Sequence, residues 1–512
     1  MYHFTYKERI PNISTNGNRV IENTSFVQRF AWNWTWGEVG SMGVTNVSYS
    51  VVDMLSNASN VYIGDIIHLD IYAKDSHGRQ RVLGGDYWRA MMVNRKMEAA
   101  TLGKIVDHDN GSYSIRFYAA WSGRADIEIS LIHTREAVRF LRKEYQGIGV
   151  VHWKAVYAND SLNETVTCIL KREGSWDKMC EIRRKEFGRT ILLCDVPKQL
   201  TCSDMQYFHS GPNVYDEYIF NDYQKELFAK SEASIQNITL NIKDSTQRNG
   251  NVETAFYIDD KLQHRKHLLS DGVWFNGSWY SYWQENRNFD RFSSLKCLSN
   301  FTNVYLLGDS TTRQWFLSLN QFLGIKYDDI TWDPHFKPNS CNDKIQTRGL
   351  SKHGHLTLQF FFHPFPLGQL CFVPQSYMVE DDVIRIATCR SVIVFGLWAH
   401  YLMWTEDSFE ERLQYVKASL WHFYQRCPES RIIVRGSHVL SDGQWRKNMA
   451  NSDVLLLDLN RIIKKVFNVE WVHFLDTWDL NRAYLHTHEV HMPNSVVAEE
   501  IKLLLSYICV TN

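Results

Sequence analysis

The C-terminal half of the chain alternates between short apolar runs and longer segments with helical periodicity. A segment from Ser408 to Gln425 places apolar side chains at helical spacing and begins with a capping-box pattern. Strands separated by helices predict a parallel sheet covered on both faces. We therefore predict an α/β domain with a parallel sheet over residues 296–512. The runs with the length and composition of buried strands are 304–307, 355–362, 391–396, 431–435 and 471–475.

The N-terminal part shows strict alternation of apolar and polar residues. Residues 66–73 alternate in this way, and shorter runs follow at 113–117 and 127–131. The turn sequence from Asp109 to Gly111 separates two of the runs, as expected for antiparallel strands. Residues 41–160 therefore predict an immunoglobulin-like, filamin-type β-sandwich. Such a sandwich is more often a binding or spacing module than a catalyst.

Two further segments carry weaker patterns. Residues 1–40 are polar and rich in Asn and Thr, which predicts a loosely structured N-terminal segment. Residues 161–295 form a Cys-rich connector, in which Cys168, Cys180, Cys194 and Cys202 lie within 35 residues. This spacing predicts a disulfide-stapled segment, although spacing does not determine the pairing.

Ser310 lies where the first apolar run of the α/β pattern gives way to a helix. Gly308 permits a sharp turn after residues 304–307, and apolar residues then recur at helical spacing. A serine at such a turn is held clear of the backbone, near amide groups that can stabilise an oxyanion. The alternative is that Asp309 or Ser310 only caps the helix. The local pattern supports both interpretations equally.

Other polar or glycine residues end the predicted strands. Gly396, Arg435 and Asp476 each lie at the carboxyl end of a run, as Ser310 does. Ligands of parallel α/β sheets bind at this edge. The pattern alone therefore places a candidate site there.

Composition narrows the classes of function. The 512 residues predict two or three domains, and 44% apolar with 22% charged residues is ordinary for globular proteins. The 56 basic and 57 acidic side chains form no basic stripe, which argues against a nucleic-acid partner. Aromatic residues reach 14%, including 18 Trp. Aromatic faces suit sugar rings, but buried cores explain them more often.

Cysteines and glycosylation sequons point to the secretory pathway. The ten cysteines divide into four and six, which is compatible with disulfides within each part. Eleven Asn-x-Ser/Thr sequons all lie at or before position 300. The glycosylation candidates are Asn12, Asn23, Asn33, Asn46, Asn57, Asn110, Asn159, Asn163, Asn237, Asn276 and Asn300.

The blocks that contain these residues resemble a known family. The Gly308–Leu319 block resembles the nucleophile block of PC-esterase domains, a branch of the SGNH (GDSL-like) hydrolases. Phe395–Trp398, Arg435–His438 and His491–Pro493 resemble later blocks in the expected order. Gly64–Asp75 and other N-terminal segments are similar to the NXPE family, the neurexophilin and PC-esterase domain proteins. The resemblance covers roughly residues 40–512 and implies an SGNH-type fold for the C-terminal domain.

The resemblance implies Ser310 as nucleophile and His491 as base, but it leaves the acid open. The family pattern is Asp-x-x-His, and His488 occupies the Asp position here. The acid candidates nearby are Asp476, Asp479 and Glu489, and a Ser-His dyad is the alternative. The oxyanion or substrate candidates are the Ser310 backbone N–H, Gly396, Arg313 and Arg435.

A rival interpretation is a metal site. His486, His488 and His491 are one residue short of a His-x-His-x-Asp-His zinc motif, with Val490 in the Asp position. Only one helix follows this cluster, and no further ligand-bearing loops are present behind it. We therefore expect no metal.

The function implied by the resemblance is acyl chemistry on carbohydrate. It suggests transfer or hydrolysis of O-acetyl groups on glycans, with sialic-acid O-acetylation as one activity proposed for such proteins. No resident cofactor is expected, although acetyl-CoA is a candidate donor. The alternative is a catalytically weak secreted binding or signalling protein, whose sandwich engages a protein receptor as neurexophilins do.

The expected location is outside the cell or in the Golgi or ER lumen. Residues 1–9 contain no apolar signal core, and no apolar run is long enough to span a membrane. NXPE-like chains usually begin with a signal or anchor segment. We therefore expect the sequence to be truncated at its start or to derive from an incomplete gene model. The alternative is a complete chain, which would be cytosolic and whose sequons would be idle.

Overall fold

The structure is a computed structural model. The residues that it describes are 43–142, 153–172, 179–183, 189–210, 227–228, 233–235, 237–244, 255–259, 262, 266–283, 289–330, 348–363, 380–402, 404–439, 452–486 and 490–509. The predicted N-terminal segment, residues 1–40, lies outside them.

Two antiparallel sheets make up the N-terminal part. The first has the strand order β1-β2-β6-β5, and the second has the order β13-β7-β3-β4-β15-β16, with β14 also paired to β7. The strands are β1 Val51–Met54, β2 Ile66–Tyr72, β3 Tyr87–Asn94, β4 Ala99–Leu102, β5 Lys104–Asp107, β6 Ser112–Tyr118, β7 Gly123–His133, β13 Ala233–Ser234, β14 Ile238–Ile242, β15 Gly272–Phe275 and β16 Ser278–Ser281.

The alternation in these strands buries one face of each sheet in a shared hydrophobic core. Ile67, Leu69 and Ile71 of β2 are fully buried, and they belong to the same cluster as Ile127 and Ile129 of β7. A period of two puts every second side chain on one face, so the sequence pattern decides which side packs. Strands β15 and β16 reach this sheet from beyond residue 270, because β15 pairs with β4. The filamin-type classification of this part remains a prediction.

A third antiparallel sheet occupies residues 153–210. Its order is β10-β11-β9-β8-β12, and the disulfides Cys168–Cys194 and Cys180–Cys202 staple it. Many of its buried residues, including Leu192 and Phe208, belong to the core cluster that also contains the C-terminal sheet. The strands are β8 Trp153–Ala158, β9 Asn163–Arg172, β10 Met179–Ile182, β11 Thr190–Asp195 and β12 Met205–Ser210.

The C-terminal sheet has seven strands in the order β18-β19-β20-β17-β21-β22-β23. The five strands from β20 to β23 in this order pair in parallel, whereas β18 and β19 are antiparallel additions at one edge. The central strand β17 is fully covered, with Val304 to Leu307 buried. The strands are β17 Asn303–Gly308, β18 Tyr327–Ile330, β19 Arg348–His353, β20 Leu356–Phe362, β21 Ser391–Gly396, β22 Arg431–Arg435 and β23 His473–Leu475.

The α-helices among the described residues are α1 Arg135–Phe140, α2 Arg291–Leu298, α3 Ser310–Leu323, α4 Glu380–Ile386, α5 Glu406–Arg426, α6 Asp453–Val466, α7 Trp478–Arg482 and α8 Asn494–Ile508. Helices α2 to α8 precede, separate or follow these strands, and the short helix α1 follows β7. Two disulfides secure this part: Cys297–Cys509 joins the ends of α2 and α8, and Cys389–Cys427 joins the approaches to β21 and β22. Cys341 and Cys371 lie outside the described residues.

Candidate functional site

Ser310 is the first residue of α3 and is separated from the carboxyl end of β17 only by Asp309. The preceding residue, Asp309, is the helix cap: its carboxylate accepts hydrogen bonds from the N–H groups of Thr311 at 2.8 Å and Thr312 at 3.4 Å. The capping interpretation therefore applies to Asp309, while the Ser310 hydroxyl is left to interact elsewhere. The Ser310 N–H has no carbonyl one turn earlier to which it could donate, because it is the first in the helix.

Two glycines let the strand ends approach this helix closely. Gly308 and Gly396 are register partners on β17 and β21. A Cβ atom on Gly308 would lie 2.3 Å from the Gly396 carbonyl oxygen and 2.3 Å from Thr312 Oγ1, and one on Gly396 would lie 2.8 Å from the same hydroxyl. Any larger residue would push the first turn of α3 away from the sheet. Gly396 thus lies beside the start of α3, level with Gly308.

His491 lies against Ser310 across 181 residues of sequence. Its Nε2 is 2.7 Å from Ser310 Oγ. The serine side chain is half-buried and the histidine is exposed, so the pair faces solvent at the carboxyl edge of the sheet. At this distance the serine hydroxyl donates to an unprotonated Nε2, which is the geometry in which a base activates a hydroxyl.

The backbone on both sides of His491 is anchored. On one side, His438 Nε2 donates to the carbonyl oxygen of Val490 at 2.7 Å. On the other, Gln314 Nε2 donates to the carbonyl oxygen of Met492 at 2.8 Å. Gln314 is on the same helix as Ser310. These two bonds therefore connect the loop that carries His491 to the helix that carries Ser310 and to His438, which lies three residues after the end of β22.

The buried Arg435 contacts both the helix that carries Ser310 and the histidine that holds the His491 loop. It is 1% exposed, donates through Nη1 to Thr311 Oγ1 at 2.8 Å, and places Nη2 3.0 Å from His438 Nδ1. Because a guanidinium only donates, His438 Nδ1 accepts and its proton is on Nε2, where it bonds Val490. The guanidinium also lies 4.3 Å from the Trp315 ring centroid. Arg435 therefore lies below the serine in a packed network, not on the open face of the site.

Glu500 balances the charge of Arg435, and the sequence patterns did not single it out. Its carboxylate is fully buried and lies 3.3 Å from Arg435 Nη2. It also accepts hydrogen bonds from Trp315 Nε1 at 2.6 Å and Asn481 Nδ2 at 2.8 Å. The sequence signal that could have revealed Glu500 is its position on the apolar face of α8, one turn from Val497. Glu500 thus joins α3, β22, α7 and α8 at one point.

Asp309 is ionised although it is buried. Desolvation opposes its ionisation, but the hydrogen bonds from Thr311 and the charge of Arg435 hold the pKa of Asp309 below its usual range. Desolvation lowers the pKa of His400 to about 3, so that histidine is neutral near pH 7. The carboxylate also accepts the N–H of Ala399 at 3.2 Å. Asp309 therefore fixes the start of α3 and the loop after β21 together.

Two family descriptions match this chain. The neurexophilin description matches residues 21–228, and the description "NXPE family member 4-like, C-terminal domain" matches residues 279–509. The chain belongs to the NXPE family. Ser310 and His491 both lie within residues 279–509, the range that matches the C-terminal domain description.

One solved structure with some similarity is the crystal structure of invasin, a bacterial integrin-binding protein. The identity is 10%, over 62% of this chain and 60% of that chain, and the TM-score is 0.15. The NXPE chain thus spans less than two thirds of that structure. A TM-score this low supports no argument about fold or function.

The remaining candidate residues of this NXPE protein lie at different places. Asp476 forms an ion pair with Lys464 at 2.6 Å, and Asp479 accepts the backbone N–H of Asp271 at 2.7 Å. Arg313, on the first turn of α3, is half-buried. His488 and Glu489 lie outside the described residues. The structure thus brings Ser310 and His491 together and places Asp476 and Asp479 in a separate carboxylate cluster.

The metal-site hypothesis depends on His488 and stays untested for that reason. Among the described residues, no three His, Cys, Asp or Glu side chains group as metal ligands would.

The features expected of a secreted NXPE protein are present in the described residues. Eight cysteines form four disulfides. Family membership and these disulfides support a secreted protein. None of the described helices is both long and apolar enough to cross a membrane. Asn46 is half-buried, and Asn12, Asn23 and Asn33 lie outside the described residues. The exposed sequon asparagines are Asn57, Asn110, Asn159, Asn163, Asn237, Asn276 and Asn300.

Proposed function

We propose that this NXPE protein is a serine acyltransferase or esterase of the SGNH type, acting on O-acetyl groups of glycans in the secretory pathway. The observation that carries the proposal is the 2.7 Å contact between Ser310 Oγ and His491 Nε2 at the carboxyl edge of the parallel strands. A hydroxyl at the start of a helix with an imidazole in hydrogen-bond reach is the arrangement that nucleophilic acyl transfer needs.

In the first step, Ser310 Oγ attacks the carbonyl carbon of an acetyl ester or thioester. The hydroxyl proton passes to His491 Nε2 as the new C–O bond forms, and the carbonyl electrons become an oxyanion. Collapse of this intermediate breaks the bond to the leaving group, which takes the proton back from His491. The serine is left acetylated, and no redox partner or metal is required.

The oxyanion would lie at the N-terminus of α3. The backbone N–H of Ser310 is our principal donor, and the positive end of the helix dipole adds to it. Gly396 and Arg313 are the second candidates, because Gly396 lies beside the first turn of α3 and Arg313 lies on it. Arg435 would act on the site indirectly, through its hydrogen bonds to Thr311 and His438.

The second step decides between transferase and hydrolase. A sugar hydroxyl or a water gives its proton to His491 and attacks the acetyl carbon. The bond from that carbon to Ser310 Oγ then breaks, and His491 returns the proton to the serine oxygen. Acetyl-CoA is a candidate donor for the transferase, and sialic acid is one candidate acceptor. We propose no resident cofactor.

His491 must be held in position for either step. The bonds to Val490 and Met492 on its two sides fix its backbone. This anchoring would position the base in a Ser-His dyad and in a triad alike. Glu489 stays our candidate for a third member, because Asp476 is paired with Lys464.

A second candidate function is that of a secreted binding protein with a protein receptor as partner. The observation that favours it is the match of residues 21–228 to the neurexophilin family, which includes the sandwich strands β1–β7. In that case Ser310 and His491 would be a remnant of an ancestral enzyme.

Acetyl transfer can be measured on the full chain secreted from cells. Wild type, Ser310→Ala and His491→Ala are incubated with isotopically labelled acetyl-CoA and sialylated glycans, and separately with O-acetylated glycans. We expect wild type to add or remove acetyl groups and both variants to lose at least about a thousandfold in rate. Folded wild type with no activity in either direction would favour the binding function.

A further inference from the structure

A second concave region lies between the N-terminal sheet and the C-terminal helices. It is a cavity of about 700 Å³, bounded by β3 to β5 and β16 on one side and by α6, β23, α7 and α8 on the other. We call it the Asp271 cleft. Neither Ser310 nor His491 lines it, so it is separate from the proposed acyl-transfer site.

Two tryptophans line this cleft and are only half-buried. Trp279 is on β16, and Trp283 follows the same strand. The indole Nε1 of Trp283 donates to Asp271 Oδ1 at 3.1 Å, which fixes the ring beside a carboxylate. Half-buried indole rings next to hydrogen-bonding groups suit the apolar face and the hydroxyl rim of a sugar ring.

The floor of the cleft holds three carboxyl groups. Asp271 donates its backbone N–H to Asp479 Oδ2 at 2.7 Å, and Asp476 pairs with Lys464 at 2.6 Å. Desolvation raises the pKa of Asp271, with a further contribution from Asp476. Desolvation and the charge of Asp271 raise the pKa of Asp479 to about 7. Near neutral pH the pair therefore offers both an O–H donor and carboxylate acceptors, which matches adjacent sugar hydroxyls.

Lysines stand at the rim of the cleft. Lys104 and Lys266 are exposed and line the cavity, and their charges act on Asp271. Lys464 adds a third ammonium group, 5.3 Å from the Phe474 ring centroid. With Asp476 already paired to Lys464, the rim presents positive charge to an incoming ligand. An anionic group would find two exposed ammonium groups there.

We propose that the Asp271 cleft is a binding site for an acidic saccharide. The sugar ring packs on Trp279 and Trp283, its hydroxyls bond to Asp271 and Asp479, and its carboxylate or sulfate group pairs with Lys104 and Lys266. This site is independent of chemistry at Ser310, and it would anchor a glycan in an enzyme or in a binding protein alike.

Calorimetric titration of the full secreted chain tests the proposal. The probes are a hyaluronan tetrasaccharide, which carries carboxylates, a chondroitin sulfate tetrasaccharide, which carries sulfates in addition to carboxylates, and neutral chitotetraose of the same length. The variants are Trp283→Ala and the double change Lys104→Gln with Lys266→Gln. Lys352→Gln is the matched control, since Lys352 is an exposed lysine on β19 that does not line the cleft. Melting curves confirm that each variant is folded.

We expect saturable binding of at least one acidic probe, at least about tenfold weaker binding of chitotetraose, and about a tenfold loss in the lysine double variant. The proposal is overturned by equal binding of the neutral probe, by no binding of either acidic probe, or by binding that the lysine and Trp283 changes leave intact.

Discussion

His438 Nε2 lies 2.7 Å from the carbonyl oxygen of Val490, the residue directly before His491. The bond connects the end of β22 to the histidine loop, and Arg435 fixes its direction by donating to the other ring nitrogen. His438 therefore does not contact the serine, but it positions the residue that does. Its role is to set the backbone from which His491 reaches Ser310.

Replacing His438 should slow the acylation of Ser310. In His438→Leu the Val490 carbonyl loses its donor, and we expect the rate of fluorophosphonate labelling at Ser310 to fall about tenfold to a hundredfold, because small displacements of a base are costly. His438→Gln can still donate to Val490 and should recover part of the rate. Equal labelling rates in wild type and His438→Leu would show that this bond does not position His491.

The hydrogen bond from Gln314 to the Met492 carbonyl should have a smaller effect on the labelling rate. Gln314→Ala removes the hydrogen bond to the Met492 carbonyl, and a single bond of this kind contributes about 1 kcal/mol. The labelling rate should therefore fall about threefold to tenfold, with little change in the melting temperature. Gln321→Ala, at an exposed glutamine on the same helix, is the matched control and should label as wild type does.

Glu500→Gln tests the buried charge balance beneath the site. Removing the carboxylate leaves the Arg435 guanidinium without its ion-pair partner in a buried position, and such losses cost about 3–5 kcal/mol. The melting temperature should fall by several degrees. By contrast, Glu410→Gln breaks a more exposed pair with Lys465 and should cost less than about 1 kcal/mol. Similar stability of the two variants would contradict the buried network.

The disulfide between Cys297 and Cys509 closes a loop with a sequence separation of 212. Changing both cysteines to Ser should lower the stability of the C-terminal part by about 3–5 kcal/mol, because a long loop regains its freedom in the unfolded chain. The separation for Cys389–Cys427 is 38, so its removal should cost about 1–2 kcal/mol less. Calorimetric unfolding of the two double variants compares them directly. The reverse order would contradict the loop-length argument.

The raised pKa of Asp479 predicts a pH dependence of stability. The folded protein keeps a proton up to about pH 7 that the unfolded chain releases near pH 4. The resulting stability is fully present below about pH 4 and is lost as the pH rises through 7. Asp479→Asn can still accept the Asp271 N–H, so it should be more stable than wild type at pH 8, by about 1 kcal/mol after allowance for solvent screening, but not at pH 4.

The matched control for this change is Asp328→Asn, at an exposed residue on β18. It should leave the pH profile of the melting temperature unchanged. A profile that is parallel in wild type and Asp479→Asn would contradict the assignment of the proton to this carboxyl pair.

Much of the sheet could be predicted because its strands are short apolar runs. The run at 304–307 became β17, and the run at 431–435 became β22 with the same bounds. The antiparallel strands Tyr327–Ile330 and Arg348–His353 were not predicted, because both are short, mostly polar segments without an apolar run. The helix predicted from Ser408 begins at Glu406, since Thr405 is the cap that accepts the Ser408 N–H.

The candidate site was predictable residue by residue but not as a network. Ser310 and His491 stand out through local pattern and resemblance, whereas their contact spans 181 residues. Glu500 could not be tied to Arg435 from sequence, because their pairing depends on how α8 packs beside α3 and β22. Long-range pairing of buried charges is set by tertiary packing, which no local periodicity records.

The central claim is that His491 activates Ser310, and fluorophosphonate labelling of the secreted chain tests it most directly. Wild type, Ser310→Ala and His491→Ala are treated with the probe, and the labelled residue is identified by mass spectrometry. We predict labelling at Ser310 in wild type and none in either variant, with all three proteins folded. Absence of labelling in folded wild type, or undiminished labelling in His491→Ala, would contradict the claim.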